Sequence, residues 1–147
     1  MGTIQGRSRA ARPAGAAAGR SARTPGLMNQ ARGRDAEDEA LRFLESMGCA
    51  LVKKNYRCRR GEIDLVMRDG GSLVFVEVRA RASDAWGGAA ASIGRDKQRR
   101  LTAAARHFLM THPRAARLPA RFDVVAISGP GAEDSPHWIR AAFDAAS

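Results

Sequence analysis

Residues 62–80 constrain the fold of this chain more tightly than any other stretch. They read E-I-D-L-V-M-R from Glu62 to Arg68, then the turn Asp69-Gly70-Gly71-Ser72, then L-V-F-V-E-V-R-A from Leu73 to Ala80. Two runs of β-branched and apolar residues joined by a Gly-Gly turn predict a β-hairpin. The second run is apolar at every position from Leu73 to Val76, so both of its faces need cover. A strand of that kind belongs inside a sheet that is packed on both sides.

Each of these strands carries one carboxylate within its apolar run. Asp64 lies between Ile63 and Leu65, and Glu77 between Val76 and Val78. With residues 69–72 as the loop, Arg68 pairs with Leu73 and Asp64 falls directly opposite Glu77. Directly opposed side chains share a face, with Cβ atoms about 4.5–5.5 Å apart. Carboxylates at that distance repel, and they are seldom buried without a partner. Spacing alone leaves two readings open. In one, Asp64 and Glu77 hold a divalent cation such as Mg²⁺, which takes one or two carboxylates and fills its remaining positions with water and phosphate oxygens. In the other, they form structural salt bridges with Arg57, Arg60 or Arg79. Arg79 stands two residues beyond Glu77 and so projects from the same face.

Around the hairpin, a helix is expected from Arg34, with Ala36, Ala40, Leu41, Leu44 and Met47 at helical spacing. Asp35, Glu37, Asp38 and Glu39 crowd its first turns, where the helix dipole favours negative charge, and Gly48 is its stop. A strand follows from Cys49 to Tyr56. Beyond the hairpin, residues 81–94 read as a loop containing Trp86. A second helix is expected from Asp96 to Thr111, with Leu101, Ala104, Ala105, Phe108 and Leu109 as its apolar stripe and Pro113 closing it. Phe122 to Ile127 is a strand, residues 129–136 a loop, and His137 to Ala142 a short edge strand. The order α-β-β-β-α-β, with that last edge strand, defines an α/β domain with a mixed central β-sheet flanked by helices.

Charge is uneven along the 147 residues. Residues 1–34 hold seven arginines and no acid, which leaves +3 of the net +10 for the rest. Residues 1–30 carry few large apolar side chains and are expected to be a disordered basic N-terminal segment, with the domain at 31–147. Met28 is an alternative start. As an arm, the segment would add phosphate contacts; as a tail, it would be dispensable. Its Arg- and Ala-rich composition mimics a transit peptide but lacks an amphipathic repeat, and no apolar signal core follows the first residues. No apolar run is long enough to span a membrane. A cytoplasmic protein is the expectation. Cys49 and Cys58 form neither a disulfide framework nor a zinc pattern, and are read as free thiols. His107, His112 and His137 lack metal-ligand spacing, and Tyr56, Phe75, Trp86, Phe108 and Trp138 are read as packing anchors.

Six blocks carry a likeness to known proteins: G-R-D-A-E-D-E-A at 33–40, K-N-Y-R at 54–57, G-E-I-D-L-V at 61–66, V-F-V-E-V-R-A-R at 74–81, K-Q-R-R-L at 97–101 and R-F-D-V-V at 121–125. In this order, over residues 31–144, they resemble the bacterial YraN family, which is similar to archaeal Holliday-junction resolvases and to the PD-(D/E)xK nuclease superfamily. The resemblance implies a restriction-endonuclease-like fold. It implies that Asp64 and Glu77 are the motif's two acids and that Glu37 is an additional acid from the first helix. Glu62 would be an outer helper. The motif's lysine is Arg79 here. Arginine stays protonated and offers a rigid fork, so Arg79 would stabilise negative charge but could not act as a base. Lys97, on the second helix, is the candidate substitute.

These readings lead to a Mg²⁺- or Mn²⁺-dependent DNA endonuclease, with branched DNA as the substrate the resolvase likeness suggests. Its catalytic residues would be Glu37, Asp64, Glu77 and Arg79, with Asp64 and Glu77 holding the metal. Lys53, Lys54, Arg57, Arg59 and Arg60, together with Lys97, Arg99 and Arg100, would grip nucleic acid on either side, joined on the second helix by Arg95 and Arg106. The resemblance also raises a homodimer. The alternative is a nucleic-acid-binding module whose site is silent or weak because of Arg79. A protein-interaction role without nucleic acid is the third reading.

Overall fold

The computed structural model describes residues 25–80, 93–128 and 135–144. The loop centred on Trp86 and most of the basic N-terminal segment lie outside them. The chain divides into two units, Met1–Arg34 and Asp35–Ser147. Helix α1 spans Pro25–Ser46, followed by strands β1 (Ala50–Cys58), β2 (Gly61–Asp69) and β3 (Ser72–Ala80). Helix α2 (Arg95–Thr111), a 3₁₀ turn (Ala115–Arg117), β4 (Ala120–Ile127) and β5 (His137–Phe143) complete the order. One element departs from expectation. Helix α1 begins at Pro25 rather than Arg34. Proline at the first helical position is a start signal, because its missing N–H has no partner there in any case.

The strands form one mixed sheet in the order β1-β2-β3-β4-β5. β3 is central, antiparallel to β2 and parallel to β4, with α2 as the crossover between them. Its two faces fill two cores. Val74 and Val76 pack with Leu65, Met67, Val125 and Ile127 under Ala36, Ala40 and Leu44 of α1. Leu73 and Phe75 pack with Ile63, Val66, Phe122 and Val124 under Leu101, Ala104, Ala105 and Phe108 of α2. The hairpin turn is tighter than expected: Asp69 pairs with Ser72 around Gly70 and Gly71, and Gly70 takes φ +61°. The register is nonetheless the expected one, with Arg68 opposite Leu73.

At one end of the sheet a buried carboxylate is fully engaged. Asp123 on β4 accepts hydrogen bonds from Arg121 Nε at 3.0 and 3.2 Å, Trp138 Nε1 at 2.9 Å and the Ala141 amide at 2.9 Å. The last of these fills a gap where the β4–β5 register shifts between Phe122 and Val124. Arg121 continues to Asp69 at 2.8 Å, tying the hairpin to β4. Tyr56, Phe75 and Phe108 are buried, and Trp138 packs edge-on against Phe43 beneath Arg140. Cys49 and Cys58 are free thiols. Among the described residues, no helix is long and apolar enough to cross a membrane.

Candidate functional site

Two irregularities meet at Asp64. The β2–β3 ladder ends at Leu65↔Val76, one pair short of Asp64 and Glu77. From there β2 continues alongside β1, while β3 continues alongside β4, so the sheet forks. The β1–β2 ladder runs through Lys54↔Leu65 and resumes at Tyr56↔Ile63, stepping over Asn55 and Asp64. Residues two apart on a regular strand share a face, yet Ile63 packs in the α2 core and Leu65 in the α1 core. The pleat inverts at this step. Asn55 makes it possible by adopting φ +55°, a conformation that asparagine tolerates better than most residues. Asp64, left without a backbone partner across the fork, reaches over it: the Val78 amide donates to Asp64 Oδ2 at 2.8 Å.

Three carboxylates and a lysine gather here. Glu77 is buried on the α2 side of β3, and Lys97 Nζ of α2 stands 3.4 Å from its Oε2. Burial, reinforced by the charge of Asp64, pushes the Glu77 carboxyl up from 4.5 to about 7, with Lys97 and then Arg79 opposing the rise. Glu37 arrives from α1. Burial raises it to about 7 as well, aided by the charge of Asp64 and a hydrogen bond with it; Asn55 and Lys54 pull the other way. Burial also raises Asp64, against the Val78 amide and Lys97. Glu37 and Asp64 lie in direct interaction, and both carboxyls are raised.

Lys54 and Asn55 hold this end of α1 through neighbouring acids: Lys54 forms an ion pair with Asp38, and Asn55 a hydrogen bond with Glu37. Sequence reasoning passed over Asn55. The signal was an asparagine between a strand's basic and aromatic residues, in a block already singled out.

The expected residues therefore divide. Glu37, Asp64 and Glu77 come together, with Lys97 against Glu77, and Arg79 lies two positions along β3 on the Glu77 side. Glu62 instead pairs with Arg57 at 3.2 Å. Lys53 and Arg59 are exposed, Arg99 pairs with Asp96, and Arg60 borders a groove beside α2. Arg100 is exposed, and its backbone lies against Gly61. Among the described residues, no three acidic, histidine or cysteine side chains converge closely enough to cage a metal on their own. Asp64 and Glu77 offer two carboxylates, a number that suits Mg²⁺ with water completing its shell. Crowded, part-protonated carboxylates are the donor chemistry that a cation would relieve.

Fold and site together define an α/β domain whose acidic centre occupies a fork in its mixed sheet. Residues 36–127 match the family described as "Uncharacterised protein family UPF0102". A UPF0102 protein of Stutzerimonas stutzeri is 51% identical over 79% of this chain and 97% of its own length. One from Paracidovorax citrulli is 47% identical over 99% of both chains, and one from Nitrosomonas europaea is 54% identical over 77% of this chain and 93% of its own. The chain belongs to this family, the YraN family that its sequence blocks resemble.

Proposed function

We propose that this protein is a cytoplasmic, divalent-metal-dependent endonuclease acting on DNA, with its centre at Asp64 and Glu77. The observation that supports it best is the meeting of these two carboxylates at the fork, with Glu37 and Lys97 closing in from opposite helices. The likeness to PD-(D/E)xK enzymes agrees with it, and branched DNA is the substrate that likeness favours. Asp64 and Glu77 would hold Mg²⁺ or Mn²⁺, which when bound supplies Lewis-acid polarisation of the phosphodiester and acidifies a water. Glu37, raised by burial and by Asp64, would ionise more readily once a cation offsets the charge of the site. Lys97 keeps a cationic ammonium beside Glu77, within reach of an incoming phosphate. Arg79, permanently charged, neutralises negative charge developing on the phosphate. This division returns a lysine to the site from α2, although the strand position usual for it holds Arg79.

The test is cleavage of four-way-junction, flap, duplex and single-stranded DNA in Mg²⁺ or Mn²⁺. Wild-type protein should cut at least one of them, and Glu77→Ala should lose both cleavage and metal binding. A fully active Glu77→Ala protein would sink the reading. A second reading, a nucleic-acid-binding module with a silent site, is favoured by Arg79 alone. It predicts salt-sensitive binding with no cleavage in either metal, and Asp64-dependent cutting would exclude it. Size-exclusion chromatography with light scattering decides the homodimer suggested by the resolvase likeness.

A further inference from the structure

Helix α2 carries two opposite stripes. Leu101, Ala104, Ala105 and Phe108 are buried, and Lys97 on that side reaches Glu77. Arg95, Arg99, Thr102 and Arg106 recur at steps of four, three and four residues, which draws one line along the face opposite the buried stripe. Arg60, from the turn between β1 and β2, and Asp144, just after β5, join that line around an open groove of about 660 Å³. Among the described residues, its lining holds four arginines and one acid, Asp144. The turn is seated firmly: a Cβ on Gly61 would stand 2.6 Å from the Arg100 carbonyl oxygen, so β2 starts in direct contact with the α2 backbone. The fold itself therefore sets Arg60 beside the helical arginines.

Four guanidiniums around one groove repel one another, and an anion there relieves the repulsion. The ion pair of Arg99 with Asp96 is exposed on both sides, and such pairs are weak, so phosphate can displace it. From Arg95 to Arg106 the line runs about 16 Å along the helix. One strand of a duplex places a phosphate roughly every 3.4 Å of axis. The line thus matches a run of phosphates and is too long for a single one. Guanidinium forks suit phosphate oxygens.

We propose that this groove is a track for one phosphodiester backbone, separate from the carboxylate centre and filled without metal. The inference deepens the proposed function, on which it rests for the identity of the polyanion. Because the groove and Lys97 lie on opposite sides of α2, the backbone held here is a neighbouring segment of the substrate rather than the one at Glu77. It contributes affinity and orientation, not chemistry.

The test is fluorescence anisotropy of labelled DNA and RNA, duplex and single-stranded, with the full chain in EDTA over a salt series. The binding is read in EDTA and needs no metal at the carboxylate centre, so a failed cleavage assay leaves this measurement intact. Arg95→Ala/Arg99→Ala/Arg106→Ala removes three phosphate contacts. It should flatten the dependence of log K on log salt by about 2.7 on a duplex, or about 2.1 on a single strand. The probe whose change reaches its own expected value identifies the strand state and sugar. Thr102→Glu keeps every arginine and should weaken binding through the same groove. The charge-matched Arg42→Ala/Arg68→Ala/Arg114→Ala should keep the wild-type slope. Alanine favours the helix, so circular dichroism of the groove variant should match wild type. Equal flattening in both triple variants would reduce the effect to net charge and overturn the track. So would an unchanged slope in the groove variant, a wild-type protein that binds none of the probes, or a groove variant that loses only phosphatidylserine-vesicle binding.

Discussion

Asp123 and Glu77 are both buried carboxylates on neighbouring central strands, and their surroundings are opposite. Asp123 accepts from a guanidinium, an indole and a backbone amide, and its side chain has no exposed surface. Glu77 has one lysine at 3.4 Å, and burial together with the charge of a second carboxylate raises it to about 7. The first arrangement consumes the charge in holding β4, β5 and the hairpin together. The second leaves charge in surplus, and surplus negative charge is what a cation or a proton finds. A buried acid serving the fold is met by donors, whereas one kept for a ligand is met by its own kind.

The widest separation between the two should come from truncation. Asp123→Ala leaves Arg121 and Trp138 without their acceptor and should cost about 3–5 kcal/mol, read from urea unfolding. Glu77→Gln should do the reverse at pH 8 in chelator, stabilising the protein by at most about 3 kcal/mol. The sign follows from the direction of the shift. Glu77 and Glu37 bind protons more tightly folded than unfolded, so their stabilising share is complete below pH 4.5 and lost as pH rises through about 7. Metal-free wild-type protein should therefore lose stability across that window, and Glu77→Gln should lose less. If the wild-type midpoint instead rises from pH 5 to 7, the carboxylates are not crowded. Mg²⁺ at ten times its dissociation constant should restore about 1.4 kcal/mol to wild type at pH 8 and nothing to Glu77→Gln. A smaller effect belongs to the pleat inversion. Asn55→Ala should cost about 1 kcal/mol, and Asn55→Gly should recover most of it, because glycine accepts the positive φ.

Much of this was legible in the chain. The apolar run from Leu73 to Val76 placed β3 at the centre, and the Gly70-Gly71 turn set the register that aims Asp64 toward Glu77. A two-residue turn and the expected four-residue loop give the same register, because the extra pair Asp69↔Ser72 simply extends the ladder. The fork was not legible. Alternation of period two carries no mark of where a ladder will stop, and the reset at Asn55 is a single dihedral angle rather than a pattern. Lys97 illustrates a second limit. Its approach to Glu77 depends on the crossover geometry of α2, which lies twenty positions along the chain and outside any local rule. The early start of α1 was signalled by Pro25 and masked by the low-complexity composition around it.

The bond from the Val78 amide to Asp64 has a consequence for descent. Asp64 stitches the sheet at the point where it divides, as well as standing in the acidic centre. Glu77 and Glu37 are both raised to about 7 in the fold, so neutralising either relieves it at neutral pH and above. A lineage that abandoned the chemistry would gain stability by discarding those two and lose it by discarding Asp64. Among descendants in which the centre has decayed, Asp64 should be the last of the three to disappear.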